Sequence, residues 1–403
     1  MDRPHGLFLH QTALCEPDLD LGIGRITASP NILDLFAGKR VAFSFNTRVA
    51  IRAAVDILGL RPGDEVLAPA YNCGSELDPL RAAGLEVRLY PVGITAVADP
   101  EQVRPLIGPR TRALYLTHYF GVLQPHRAGF RALANAHGLR LIEDCALSLL
   151  SGVSPVDGMT GDVAVFCFYK FFAVLAGGAL VVNAPNLSMP RFDRAAPPTI
   201  VARSLSRAVL RRMLGQGGLD QLKRLRSRTG ESTWDEPRHE GLPDMPAGYY
   251  FDPDLTGRRM AGVSRRALVG LDQVAAMRAR RDNYHGLLGL LAEVDGLVPL
   301  FETLPVDAIP LSLPLRLRDP GSGAPWQRRD ALVCALQAEG IAATPWWAGY
   351  NRHLDFSDRP GADLSAARRL KDTVLSLPIH QYFGPARISH VADRVQSLWQ
   401  KRS

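Results

Sequence analysis

The sequence predicts an α/β protein with a mostly parallel central sheet, helices on both of its faces, and a smaller α+β domain toward the C-terminus. Three observations predict it. From about residue 38 to 183, short apolar runs alternate with amphipathic stretches. The runs are continuously apolar, as strands buried on both faces require. After an interval rich in Arg and Pro, helical and strand-like segments resume near residue 264, and 403 residues are many for one core.

The strand-like runs are EVLAPAY, VRLYPV, RALYLTHYFG, LRLIEDCA, VAVFCF and GALVV. Between them, TRVAIRAAVDIL, SELDPLRAAG and HRAGFRALANAHG space their apolar residues as helices do. Functional residues of such sheets collect at the carboxyl ends of the strands. Residues from about 185 to 260 lose this rhythm. They include RSLSRAVLRRMLGQGGLDQLKRLRSR, in which Arg203, Arg207, Arg211 and Arg212 recur. That basic insertion reads as a solvated helix, a lid over an anionic substrate, or a membrane-surface contact. Beyond it come a long helix from about 264, strand-like IPLSLPLRL, helical WQRRDALVCALQAEG and a last helix from about Ser389. The expected division is a large domain over 1–260 and a small one over 261–403.

Composition narrows the function classes. A hydrophobic fraction of 46% with 22% charged residues is ordinary for a globular protein. The net charge of +7 favours anionic small molecules or surfaces. Five cysteines without a CxxC pair read as reduced thiols, not a disulfide framework or a zinc cage. The start, MDRPHGLFLHQ, lacks a signal-peptide pattern, so a cytoplasmic location is expected. The longest apolar stretch, 163–182, contains Lys170, which would be costly in lipid, so no membrane span is expected. No helix-turn-helix, zinc module or aromatic-studded basic strand points to nucleic acid. LGIGRI lacks the third glycine of a dinucleotide site.

The chemistry-bearing candidates begin with Lys170, which stands among Phe and Tyr after the run VAVFCF. It is either a lysine that snorkels or an amine whose pKa is lowered by apolar surroundings so that it can attack a carbonyl. In LRLIEDCA, Glu143 and Asp144 end a strand and face opposite ways, so one of them points into the crevice. An acid there is a cap or surface group, or the partner of a pyridinium nitrogen. Ser44, Asn46 and Thr47 precede a helix as ordinary caps do, yet the same backbone N–H groups hold a phosphate well, and Arg48 adds charge. His118 ends another strand and reads first as structural. Trp346, Trp347 and His380 are undecided between pocket and core.

Together, a phosphate cradle, an acid and a lysine in that order look like a pyridoxal phosphate site. The chain resembles the DegT/DnrJ/EryC1/StrS aminotransferases, of fold type I. The resemblance runs through RPGDEVLAPAYNCGSELDPLRAAGLEVRLYPV, GPRTRALYLTHYFG, HGLRLIEDCA, GDVAVFCFYKFFAVLAGGALVVN and, more faintly, LSLPIHQYF. It implies that Lys170 bonds the cofactor, that Asp144 pairs with its ring nitrogen, and that Asn46, Thr47, Arg48 and Cys167 surround its phosphate. It implies that Tyr71 or Cys73 covers the ring. His118, Arg211, Arg212, Ser264 and Arg265 are the candidate substrate contacts. It also implies a homodimer, an amino donor such as glutamate or glutamine, and a keto-sugar nucleotide as acceptor. Three departures stand out. Leu147 occupies a place where the family has Gln or His. FFAVLAGG lacks an acid before its glycines. GVSRR, with Ser264 and Arg265, replaces an Asn-x-Arg segment. Leu147 favours one alternative, an elimination, dehydratase or cyclase reaction with the same cofactor. A second alternative is a non-catalytic member whose basic segment binds nucleic acid or a membrane surface.

Overall fold

The computed structural model describes residues 27–152, 160–206, 209, 245, 247–318, 324–347, 349 and 351–400. Arg207, Arg211, Arg212 and most of the basic insertion lie outside them.

Seven strands form the large sheet: β1 (Val41–Ser44), β2 (Glu65–Pro69), β3 (Glu86–Tyr90), β4 (Thr111–Thr117), β5 (Arg140–Cys145), β6 (Val163–Cys167) and β7 (Gly178–Val182). Their order is β1-β7-β6-β5-β4-β2-β3. Only β7 runs against the rest, paired antiparallel to both β6 and β1. β2, β5, β6 and β7 are buried at nearly every position, the pattern that continuous apolar runs require. β1 was not expected, because VAFS is too short to signal a strand alone; it forms by pairing Val41–Ser44 with Gly178–Val181.

Helix α1 (Thr47–Leu58) covers β6 and β7 and buries Val49, Ala50, Ile51, Ala54, Val55 and Leu58. It is capped by the Asn46 side chain, which accepts from the Val49 N–H at 3.0 Å. The second sheet is antiparallel, from β8 (Leu297–Pro299), β9 (Leu313–Leu317), β10 (Thr344–Pro345) and β11 (Val374–Leu377) in the order β10-β11-β9-β8. Helices Gln273–Leu290, Pro325–Ala338 and Pro385–Gln400 pack on it.

Two differences from expectation are physical. The long helix near 264 divides into Gly262–Val269 and Gln273–Leu290, because Asp272 caps the second piece through the Ala275 N–H. The boundary expected at 260 falls within the first core: Ala267, Leu268, Leu271 and Ala276 pack there, while the second core starts at Tyr284. The architecture is the expected one, a mostly parallel sheet with helices and a smaller C-terminal α+β region. Among the described residues, no helix is long and apolar enough to cross a membrane.

Candidate active site

The carboxyl ends of β2, β4, β5 and β6 and the start of α1 meet at one cleft. It holds about 480 Å³ including its open mouth. Its lining includes Asn46, Thr47, Cys73, Asp144, Cys167 and Lys170.

Lys170 sits in the connection between β6 and β7, whose ends are held together by the Cys167–Gly178 pairing and the bond from Phe168 N–H to Gly177 O. It is partly exposed, opening into the cleft. The expectation of a lowered amine pKa is corrected here. Burial pulls it down, but Cys167, Cys73, Asp144 and Glu76 outweigh burial and hold it above the ordinary lysine value. Cys73 is itself pushed up to about 12, so at neutral pH it is a thiol, and the two carboxylates supply the standing negative charge.

Asp144 and Glu143 do face opposite ways. Asp144 reaches the cleft, where Oδ2 accepts from the Tyr115 hydroxyl at 2.8 Å and Oδ1 from the Ala146 N–H at 2.8 Å. Burial first, then Glu76, raise its pKa, and Lys170 works against them. Glu143 instead meets His118, whose Nε2 lies 2.8 Å from Oε1. His118 Nδ1 accepts from the Gln124 N–H, so Nε2 carries the proton and donates to Glu143. His118 is 0% exposed and does not line the cleft, so it is a structural residue and not a substrate contact.

At the other end, the Thr47 hydroxyl donates to Phe166 O at 2.9 Å, joining α1 to β6. A Cβ at Gly178 would lie 2.6 Å from Asn46 C and Thr47 N, so only glycine lets β7 pass this turn. No acceptor among the described residues meets the Thr47 and Arg48 N–H groups at this helix start. Arg48 lines the cleft as well, and its Nη1 donates to Gly248 O, Tyr249 O and Tyr250 O, so it fastens that segment beside the cleft.

Of the loop after β2, Cys73 lines the cleft and Tyr71 does not. Tyr71 is buried, with its hydroxyl donating to Trp346 O at 3.0 Å and its ring 4.6 Å from that of Trp347. Ser264 is buried under Ala176 N–H, and Arg265 stacks on Phe43 at 5.8 Å; within this chain neither reaches the cleft. Trp346 is core, with Nε1 donating to Ser376 Oγ, whereas Trp347 is cleft wall. His380 is buried away from the cleft, and burial and Arg280 hold it well below the ordinary histidine value.

Sequence reading missed Ser75, Glu76, Thr117 and Tyr169 in the lining. Glu76 had a local signal. It stands three residues after Cys73, and its Oε1 accepts from the Cys73 N–H at 3.1 Å while Oε2 accepts from the thiol at 2.7 Å.

These residues fit pyridoxal phosphate. The open N–H groups at the start of α1 suit a phosphate, and a buried carboxylate near Lys170 suits a cationic ring nitrogen. The Thr117 hydroxyl, lining the same cleft, has no partner among the described residues.

The model of the DegT/DnrJ/EryC1/StrS aminotransferase family matches residues 33–191. The chain is 29% identical over 160 residues to GDP-perosamine synthase of Vibrio cholerae, 39% of this chain and 43% of that protein. It is 34% identical over 147 residues to dTDP-3-amino-3,4,6-trideoxy-alpha-D-glucose transaminase of Streptomyces venezuelae, 34% of this chain and 38% of that one. The matched segment thus spans less than half of these relatives. Among solved structures, E. coli GDP-4-keto-6-deoxy-D-mannose-3-dehydratase with bound hydrated PLP superposes with a TM-score of 0.58. That match has 16% identity and covers 90% of this chain and 89% of that one.

Proposed function

We propose that this chain, which over residues 33–191 matches the DegT/DnrJ/EryC1/StrS aminotransferase family, is a member of that family and a pyridoxal phosphate enzyme that moves an amino group from an amino acid to a keto-sugar nucleotide. Glutamate or glutamine is the donor. The observation that carries the reading is the convergence of Lys170, Asp144 and the start of α1 on one cleft. Under the same reading the enzyme is a cytoplasmic homodimer acting on an anionic small molecule.

When bound, pyridoxal phosphate supplies an electron sink that makes the Cα proton of an attached amine removable. Thr47 and Arg48 N–H groups would hold its phosphate, Asp144 its ring nitrogen and Lys170 its aldehyde carbon. Tyr115 and Ala146 donate to Asp144, work against the burial that raises its pKa, and orient it. Pairing Asp144 with a cation cancels part of the field that raises Lys170, so its Nζ is freer to shed a proton and serve as the base. Cys73 and Ala146 are small groups on the cleft lining and leave room for a planar ring.

A second reading is favoured by one observation: Leu147 lines the cleft and offers no hydrogen bond where the family resemblance implies Gln or His. A dehydratase shares this fold. Incubating the cofactor-loaded protein with glutamate separates the two. Stoichiometric 2-oxoglutarate, with the amine retained on the cofactor, is expected of the aminotransferase; its absence, with Lys170 trapped by borohydride, sustains the elimination reading.

A further inference from the structure

A second buried amine stands beside the cleft and has no part in the reaction above. Lys371, on helix Ser365–Thr373, is 1% exposed. Its Nζ donates to the main-chain oxygen of Asn72, the residue that leads into Cys73. Its other neighbours are ring faces, Phe356 at 4.9 Å and Trp347 at 5.6 Å from Nζ to centroid. Among the described residues no carboxylate bonds to it. Arg329, 0% exposed and paired with Asp330, holds the end of this helix through the carbonyls of Lys371 and Val374.

The ammonium therefore touches two parts of one wall. The Asn72–Cys73 turn comes from the large sheet, and Trp347 comes from beyond β10. Gly74 locks the turn further: it has φ +83, and a Cβ there would lie 2.4 Å from Asn351 Cβ. An ammonium with one oxygen and two ring faces is poorly compensated for burial. A methionine would fill the same space without that cost, so packing alone does not account for the amine.

We infer that Lys371 is a positioning residue for the proposed reaction: its charged amine fixes the Asn72–Cys73 turn and the Trp347 indole as one wall facing Lys170, and loss of its proton releases the indole. The catalytic part of this rests on the proposed function; the geometry does not.

Burial pushes the Lys371 pKa down to about 8. Cys73 and Glu76 from the turn and Asp372 from its own helix work against burial, and Arg329 from helix Pro325–Ala338 works with it. The unfolded chain keeps its proton to the ordinary value of 10.5, so between these values the unfolded state binds more protons and stability rises with pH. Below the lower value the charged amine costs stability. Lys371→Met leaves Asn72 O unpaired but removes the buried charge, so its melting temperature relative to wild type should improve as pH falls from about 9.5 to neutrality, whereas removal of a merely structural group gives a difference that does not change with pH.

The test reads tryptophan emission of the full chain without cofactor, from about pH 6.5 to 9.5, as the difference from Trp347→Phe. Wild type should show one transition near pH 8. Lys371→Met should show none, and Lys371→Arg, charged throughout, should keep the low-pH emission to the alkaline end. With cofactor and substrates, Lys371→Met should lower kcat about tenfold or more while KM changes less than about threefold. A transition that persists in Lys371→Met, or is absent from wild type, overturns the inference. If Lys170 traps no cofactor while the transition is present, the proposed reaction falls and the wall stands. If trapping succeeds and the transition is missing, only the wall falls.

Discussion

Two lysines flank the same cleft and stand on opposite sides of the ordinary amine value. Lys170 opens into the cleft among Asp144, Glu76 and two thiols, and is held high. Lys371 lies behind the wall, under aromatic rings and near Arg329, and is pulled down to about 8. Desolvation acts on both in the same direction. What separates them is whether neighbouring groups outweigh burial: at Lys170 they do, whereas at Lys371 burial prevails and Arg329 adds to it, so burial by itself is a poor guide to which amine is reactive. It also reverses the naive assignment. The amine proposed to do chemistry is the more cationic one until a cation neutralises Asp144.

The largest expected effect comes from removing one of the pair. Lys170→Ala should lower turnover by about 10⁴-fold and abolish the borohydride-reduced adduct, located by peptide mass, because no other amine lines the described cleft. An adduct that moves to Lys371 would break the contrast.

Glu76→Gln is next. Glu76 raises both amines, so its neutralisation should lower both. A lower Lys170 pKa means more neutral amine at a given pH, so pyridoxal phosphate should add faster near neutrality, its pH midpoint moving down by about half a unit to one unit. Stopped-flow absorbance measures this, and an upward shift would contradict the sign. The amide can still accept from the Cys73 N–H, which limits damage to the turn.

The smallest effect should be the most selective. Asp372 acts on Lys371 and is absent from the groups that raise Lys170. Asp372→Asn should move the Trp347 emission midpoint to lower pH by a few tenths of a unit, about the size of one partly screened charge, and leave the Lys170 midpoint alone. Movement of both would mean that the two amines share a field instead of occupying separate ones.

The sequence made the large sheet legible because its strands are continuous apolar runs of strand length, and EVLAP, RLIEDC and GALVV stand where those runs led. Helix TRVAIRAAVDIL agrees residue for residue, since Asn46 and Gly59 mark its two ends. The site residues nearest in chain order to a strand end were legible for the same reason. Trp347 was not, because its place depends on contacts with Tyr71 some 275 positions away, as the bond from Tyr71 to Trp346 spans. Arg48 lines the cleft, but the partners of its guanidinium, three carbonyls from residues 248–250, were not legible because no local pattern announces them.

The peptide oxygen of Phe171, one residue past Lys170, accepts from Arg280 Nη2 at 2.6 Å and from Gln381 Nε2 at 3.2 Å. Those donors belong to the long helix and to the stretch after β11, so the backbone beside Lys170 is tethered to the far half of the chain. Changes made wholly within the smaller sheet thus have a bonded route to the loop that carries Lys170, with no atom of the pocket altered.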